Sequence, residues 1–373
     1  MFRRSPFALP RAEQIPALTT ILEGAARVAP EDPAGFVEAA VAHRVVGAAT
    51  TALGADRLVL PAAAAQQLRD AHAVGVLRSA LVRRELGLVA GPISAAVGAP
   101  PIVLKGPAIA DRFYPDPAWR GFADLDLLVP RERLEDAVAA LARVGYEEQV
   151  ELREGFGATH GHDVHMARPV GRQRADVELH WRVGDDPLGE VLNHETLMAD
   201  GVAAPRVEIG TSELPRFPGP GDQLLVCSMH LLSDRLRRLI WIEDLRRVSS
   251  ALGESEWRRA FERARALGLL WVLNRALDYA AHHLGYRRAR PLPGGEPPPW
   301  GPLRAVEELS FPASLHLGRL AALPWRERPR YFRGVLVPSQ AGLRGTVGTD
   351  GAGPARMAAR HVVRAVRALA PRR

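Results

Sequence analysis

Two aspartates alternate with leucines in the stretch ADLDLLV, residues 123–129, and this pattern constrains the fold more than any other part of the chain. In a strand, Asp124 and Asp126 are predicted to point to one face, and Leu125 and Leu127 to the other. The leucines can pack in a core while the carboxylates stand about 7 Å apart on the opposite face. Two carboxylates in this arrangement can jointly hold divalent metal ions.

A strand, a turn and a helix are predicted just before this pair. The apolar run Ile102–Leu104 has the length of a buried strand and ends at Lys105 and Gly106, where glycine permits a sharp turn and a close approach to a ligand. Pro107 suits the first turn of a helix over Ala108–Tyr114. The free N–H groups at the start of that helix, beside a lysine, would suit phosphate oxygens.

Lys105 is the only lysine in 373 residues, and every other basic side chain, histidine aside, is arginine. Its position at the turn indicates that a compact ammonium charge is needed there, because a planar guanidinium differs in shape and hydration. The alternative is that a single lysine falls near the motif by chance.

A second polar strand face is predicted later in the chain. His162–Ala167 and Gln173–Val183 are predicted to form a hairpin around Pro169, Val170 and Gly171. Within its second arm, the sequence DVELHW alternates, so that its polar residues share one face. The alternative for this arm is a half-solvated edge strand with ordinary polar alternation.

The stretch LKGPAIADRFYPDPAWRGFADLDLLV, followed by VELHW at Val177–Trp181, resembles the motifs of the polymerase-β-like nucleotidyltransferase superfamily. Within it, the sequence is similar to a group of largely uncharacterised bacterial nucleotidyltransferases with an LKG turn, an arginine before the DxD strand and a later V-D/E-LHW strand. The resemblance covers roughly residues 81–285. The chain has Gly106 and Pro107 where the superfamily usually has Gly-Gly or Gly-Ser.

The resemblance implies a metal-dependent nucleotidyltransferase that moves a nucleoside monophosphate from an NTP, expected to be ATP, to an acceptor hydroxyl and releases pyrophosphate. The acceptor would be a small molecule, a peptide or a protein. One alternative is a catalytically silent nucleotide-binding or regulatory protein of the same fold, against which the complete set of acids and Lys105 argues. The other alternative is a different metal-dependent phosphoryl-transfer enzyme.

The same resemblance implies roles for individual residues. The expected ligands of Mg²⁺ or Mn²⁺ are Asp124, Asp126 and Glu178, with Asp176 as the rival for the third position. The expected polyphosphate contacts are Lys105, Gly106 and Arg120.

The fold class expected is α+β, with a small mixed β-sheet core between N-terminal and C-terminal helical regions. The predicted divisions are an N-terminal helical region (1–98), the nucleotidyltransferase core (99–215), a helical acceptor-side domain (216–290), and a proline- and glycine-rich linker with a C-terminal helical tail (291–373).

Composition places the chain among globular proteins, with 47% hydrophobic and 24% charged residues. The net charge of +7 fits phosphate-bearing partners, but no aromatic and basic module indicates a nucleic acid. Cys227 is the single cysteine, which excludes an internal disulfide and a multi-cysteine zinc site. No apolar run reaches membrane-spanning length and the start does not read as a secretory signal, so a cytoplasmic protein without a membrane partner is expected.

Two further features have alternative interpretations. His160, His162 and His165 could bind zinc, but without a fourth ligand they are expected to be loop and hairpin residues near the mouth of the site. Asp244, in the helical region after the core, could contact an acceptor or pair with a buried arginine.

Overall fold

The computed structural model describes residues 11–24, 26–149, 161–184, 187–204, 214–233, 238–284 and 325–331, together with residues 296, 320 and 323. They form an α+β fold, which confirms the predicted class. The α-helices are α1 (Ile15–Glu23), α2 (Pro33–Ala42), α3 (Val46–Gly54), α4 (Ala62–Val97), α5 (Pro107–Phe113), α6 (Leu134–Arg143), α7 (His194–Met198), α8 (Pro220–Ser233), α9 (Leu239–Ala251), α10 (Glu254–Ala266) and α11 (Leu270–Leu284). The strands are β1 (Ile102–Val103), β2 (Leu125–Leu128), β3 (Glu147–Glu148), β4 (Asp163–Val170), β5 (Gln173–His180), β6 (Val202–Ala203) and β7 (Arg216–Phe217).

Helix α4 is 36 residues long and links the N-terminal helices to the sheet. The sequence predicts an interruption at Gly91 and Pro92, but the helix continues through Pro92. A proline leaves the carbonyl four residues earlier without its helical partner, and Leu88 at that position is exposed, so water can replace the lost donor. Across the described residues no helix, α4 included, is long and apolar enough to cross a membrane.

The sheet is mixed and has the order β3-β4-β5-β2-β1-β7-β6. β2 lies at its centre, antiparallel to β1 and parallel to β5. The predicted hairpin is present as β4 and β5, but its turn lies at Gly171 and Arg172, because β4 continues through Pro169 and Val170. Pro169 is tolerated because β3 pairs only with Met166 and Ala167, so the position of its missing N–H faces no β3 residue.

Two hydrophobic cores support the sheet. One lies between the sheet, α4 and α6 and includes the fully buried Leu125, Leu127 and Val177. The other joins α1–α3 to α8–α11, with Phe36 and Leu224 among its members. The two helical regions therefore share a core, while the domain boundaries predicted from the sequence remain a prediction.

Several predicted segments reach beyond the described residues. The sequence after α6 also predicts a strand over Tyr146–Leu152; the structure has β3 within it, and its part from residue 150 onward lies outside the described residues. The predicted linker and most of the tail, 291–373, also lie outside them.

Candidate active site

The turn between β1 and α5 places Lys105 beside the DxD strand. Gly106 has a φ of 55°, a conformation that glycine adopts without strain, and Pro107 opens α5 directly after it. The amide of Leu104 donates to the carbonyl of Asp126, so the end of β1 is fixed against β2. From this turn the Nζ of Lys105 reaches to 2.7 Å from the Oδ1 of Asp126.

The parallel pairing of β2 and β5 brings the predicted acids level with one another. Asp126 pairs in register with Glu178, and Leu127 with Leu179. Because side chains alternate along both strands, the leucines enter the core and the two acids share the other face. His180 joins them, with its Nε2 3.2 Å from the Oδ1 of Asp126 and 3.4 Å from the Oε2 of Glu178. One ligand atom from each of the three lies within 4.8 Å of the others, which is close enough for a shared metal ion.

The charges within this group differ from their values in water. Burial raises the pKa of the Asp126 carboxyl, but the ammonium of Lys105 and the hydrogen bond from His180 outweigh burial and hold that pKa well below its usual range. The pKa of Glu178 is instead raised, because burial and the negative charge of Asp126 both disfavour its ionised form. Burial lowers the pKa of His180, but its hydrogen bonds to both acids raise it to about 10. The group therefore holds a firmly ionised acid, a more basic acid and a protonated imidazole.

Asp124 and Asp176 precede Asp126 and Glu178 by two residues each. Asp124 is half-buried and immediately precedes β2. The carboxylate of Asp176 is bound by Arg78 at 3.0 Å, by Arg174 at 2.8 Å and by His165 at 3.1 Å. The rival third acid thus already has three cationic or imidazole partners, whereas Glu178 stands beside Asp126.

Arg120 and Asp244 form a buried ion pair next to the site. The Nε and Nη2 of Arg120 donate to the carboxylate of Asp244, with Nη2 at 2.7 Å, and Nη1 donates to the carbonyl of Gly121. Tyr114 donates its hydroxyl to the same carboxylate at 2.7 Å. This confirms the interpretation of Asp244 as the partner of a buried arginine. Burial lowers the pKa of Arg120, but Asp244 outweighs it and raises that pKa. The polyphosphate role of Arg120 remains a prediction.

The C-terminal helices contribute a neutral imidazole. His230 on α8 places its Nδ1 3.5 Å from the Nζ of Lys105, and its ring meets Trp241 of α9 edge to face at 5.0 Å. Burial, reinforced by the charge of Lys105, lowers the pKa of His230 well below its usual range. His230 is therefore neutral and can accept a hydrogen bond from the ammonium.

His162 and His165, the described members of the histidine cluster, contact different partners. His162 lies 3.4 Å from Asp163, and its ring is tilted against that of His180 at 5.2 Å. His165 binds Asp176, and His160 lies outside the described residues. In this part of the chain the cluster does not form a metal site of its own, and His162 borders the group formed by Asp126, Glu178 and His180.

No role was predicted from the sequence for His180 or for His230. His180 belongs to the VELHW motif, and the strand alternation that selected Glu178 also puts it on the polar face. That alternation was a sufficient signal for His180. No local pattern marks His230, because its contact with Lys105 spans 125 positions in the chain.

Comparison with known proteins identifies the family. The sequence model of the family described as uncharacterised nucleotidyltransferase matches residues 29–285, which is more than half of the chain. Neither a curated protein nor a solved structure matches. The match spans the turn at Lys105, the two strands with their acids, and the helices that supply His230 and Asp244. The chain therefore belongs to this family of nucleotidyltransferases.

Proposed function

We propose that the protein is a metal-dependent nucleotidyltransferase that moves a nucleoside monophosphate from an NTP, with ATP as the expected donor, to an acceptor hydroxyl and releases pyrophosphate. Family membership supports nucleotidyl transfer in general. The metal-dependent mechanism is supported by one observation. Asp126 and Glu178 are paired residues on adjacent strands, and Lys105 forms an ion pair with Asp126.

The residues present fit Mg²⁺ or Mn²⁺. Carboxylate oxygens are the ligands that these ions prefer, and Asp126 and Glu178 offer them side by side, with Asp124 as the proposed third donor. The Nε2 of His180 lies within 3.4 Å of a carboxylate oxygen of each acid, so His180 would orient the two acids. When bound, the metal would polarise the α-phosphate and offset its charge.

The side chains would handle the proton and the leaving group. Glu178, which lies level with Asp126, would accept the proton of the acceptor hydroxyl. The acceptor oxygen then bonds to the α-phosphorus while the bond from that phosphorus to the α,β-bridging oxygen breaks, and pyrophosphate leaves with its negative charge. The ammonium of Lys105 would offset that charge, and the turn at Gly106 would let the backbone approach the phosphates. Arg120 would add positive charge from its buried position beside the turn.

The test is a transfer assay with ATP labelled at the α-phosphate, run against small-molecule, peptide and protein acceptors. We expect labelled acceptor and an equal amount of pyrophosphate, both lost on chelation of divalent ions. Asp124→Asn and Asp126→Asn should each abolish transfer, because a neutral amide cannot offset the charge of a cation. Asp136→Asn is the matched control, since Asp136 is exposed on α6.

The outcome of this assay decides among the alternatives. Label that reaches an acceptor from the γ-phosphate and not from the α-phosphate would indicate a kinase. Near-full transfer by a folded Asp126→Asn variant would remove the mechanism.

A further inference from the structure

A cavity of about 470 Å³ lies between the N-terminal helices and the loop that leads into β2. Val41 of α2 and Val74 of α4 line it, as do Phe122 and Ala123. Ala123 immediately precedes Asp124. A molecule in this cavity would therefore contact the residue that immediately precedes the proposed metal ligand Asp124.

The cavity also reaches β5. Gln173, the first residue of β5, lines it, as does Arg78 of α4. The Nη2 of Arg78 donates to the carbonyl of Ala123 at 3.1 Å and to the Oδ2 of Asp176 at 3.0 Å. Arg78 thus connects the cavity to the segment that leads into β2 and to Asp176 of β5.

The side chains that line the cavity indicate which class of molecule could bind there. Val41 and Val74 are 49% and 66% exposed, and they can cover an apolar body. Arg44 lines the same space in a left-handed backbone conformation, with a φ of 57°. Among the described residues no carboxylate lines the cavity, and none pairs with the guanidinium of Arg44. An apolar compound with an anionic or uncharged polar group fits these walls, whereas a polycation does not.

The sheet order indicates which substrate would enter. Lys105 and Gly106 follow β1, on one side of β2, while the cavity reaches β5, on the other side. Phe122 separates the two, since a Cβ at position 106 would lie 3.4 Å from its ring. In phosphoryl transfer the attacking and leaving oxygens are roughly in line, on opposite sides of the phosphorus. If pyrophosphate leaves towards Lys105, the acceptor hydroxyl attacks from the side of β5.

We propose that this cavity is the acceptor subsite, and that the acceptor is a small hydroxyl compound with an apolar body and an anionic or uncharged polar group. The inference rests on the proposed function, because it needs the donor phosphates at Lys105. It places the acceptor on the β5 side of the site, so a donor nucleobase bound in the cavity would contradict it.

Gly75 offers a way to fill the cavity without disturbing the fold. It lines the cavity from α4, and a Cβ added there meets nothing within 4 Å. Gly75→Leu should fill the space, while a residue with higher helix propensity than glycine favours the helix. Gly75→Ala is the milder variant should the leucine impair folding. Ala73→Leu is the matched control, because Ala73 is exposed on α4 and does not line the cavity.

The probe is the fluorescent anion 8-anilinonaphthalene-1-sulfonate, with its uncharged parent N-phenyl-1-naphthylamine for comparison. We expect one saturable site for the anion in the native protein and in Ala73→Leu, and binding weaker by about ten-fold or more in Gly75→Leu. Arg44→Ala should weaken binding of the anion and leave binding of the uncharged parent unchanged. Equal binding of the anion to the native protein and to Gly75→Leu would overturn the assignment of the cavity as a ligand site.

Adding saturating magnesium-ATP then tests whether the cavity binds the acceptor or the base of the donor. If the cavity is the acceptor subsite, magnesium-ATP shields Lys105 from an amine-selective reagent while the probe stays bound. Competitive displacement of the probe would place the base of the donor in the cavity and overturn the proposal. Failure of magnesium-ATP to shield Lys105, with the probe still bound, would instead count against the proposed donor site.

Discussion

The Nζ of Lys105 lies 2.7 Å from the Oδ1 of Asp126, so the only lysine of the chain is bound to the second carboxylate of the DxD pair. The two side chains are 17% and 5% exposed. The hydrogen bond from Leu104 to the backbone of Asp126 holds β1 against β2 and fixes this approach. The ion pair is therefore built into the centre of the sheet, where a bound phosphate could share the ammonium with the carboxylate.

The first prediction is that magnesium-ATP shields Lys105. An amine-selective reagent has only Lys105 and the α-amine of the chain to modify, so peptide mapping follows a single side chain. Magnesium and ATP together should slow modification of Lys105, because phosphate oxygens would cover the ammonium. Lys105→Arg should keep the charge and lose rate, since the planar guanidinium cannot take the same position beside Gly106.

The α-amine is the internal control in this experiment, because its labelling should not change. Equal modification of Lys105 with and without saturating magnesium-ATP would remove the phosphate contact and leave Lys105 with a structural role towards Asp126.

The second prediction separates the two acids of β5. Glu178→Gln should lower the transfer rate by about 10²- to 10⁴-fold, the range for loss of a general base, because Glu178 is level with Asp126. Asp176→Asn should reduce the rate far less and act mainly on stability, because Asp176 is held by Arg78 and Arg174. Steady-state rates and thermal unfolding of both variants provide the measurement.

A reversed order of effects on the rate would make Asp176 the third ligand and would shift the functional register of β5 by two residues. Arg174→Ala serves as a further control, since it removes one partner of Asp176 and leaves both acids in place.

The part of the site that could be predicted from the sequence depends on strand alternation. A period of two fixes which residues share a face, so ADLDLLV and DVELHW each predict a polar face and a buried face. The parallel pairing of β2 and β5, which puts Asp126 beside Glu178, was not predicted from the sequence, because strand alternation does not specify which strands pair. Gly106 and Pro107 are local signals as well, and both occupy the predicted turn and helix start.

The remaining contacts depend on packing between distant segments. Arg120 and Asp244 are 124 positions apart, and they meet because α9 packs against α5. Pro92 also shows the limit of local rules, since proline ordinarily ends a helix, yet α4 continues through it. Tertiary contacts of α4 with α6 and β5 outweigh this local preference.

The third prediction concerns the ion pair of Arg120 and Asp244. Arg120→Met should lower the free energy of unfolding by about 3–5 kcal/mol, because it leaves a buried carboxylate without its cation. The double variant Arg120→Met with Asp244→Leu should recover part of that loss, since no buried charge remains, while the buried hydroxyl of Tyr114 loses its acceptor. Denaturant unfolding of the native protein, both single variants and the double variant forms the measurement.

The same variants test the predicted phosphate role of Arg120. If Arg120 contacts the polyphosphate, the stabilised double variant should still bind magnesium-ATP more weakly than the native protein. Native affinity in a folded double variant would restrict Arg120 to a structural role.

The fourth prediction concerns Glu85, a buried acid of α4 that connects the helix to β4. Arg168 binds it with two hydrogen bonds of 2.8 and 2.9 Å, and Tyr146 donates its hydroxyl at 2.6 Å. Burial raises the pKa of Glu85, but these hydrogen bonds outweigh burial and hold the pKa below the ordinary value of 4.5. A carboxyl whose pKa is lowered by folding contributes stability above pH 4.5 and loses it as the pH falls through the folded-state value.

Glu85→Gln should therefore lower the free energy of unfolding by about 1.5–3 kcal/mol at pH 7, the range for hydrogen bonds to charged groups. The difference from the native protein should shrink as the pH falls below 4.5, because the native carboxyl then becomes protonated and loses its ionic bonds to Arg168. Urea unfolding of both proteins between neutral and acid pH measures this difference, with the exposed Glu135→Gln on α6 as the control. A gap between Glu85→Gln and the native protein that stays constant across the acid range would show that the charge of Glu85 does not hold α4 to β4.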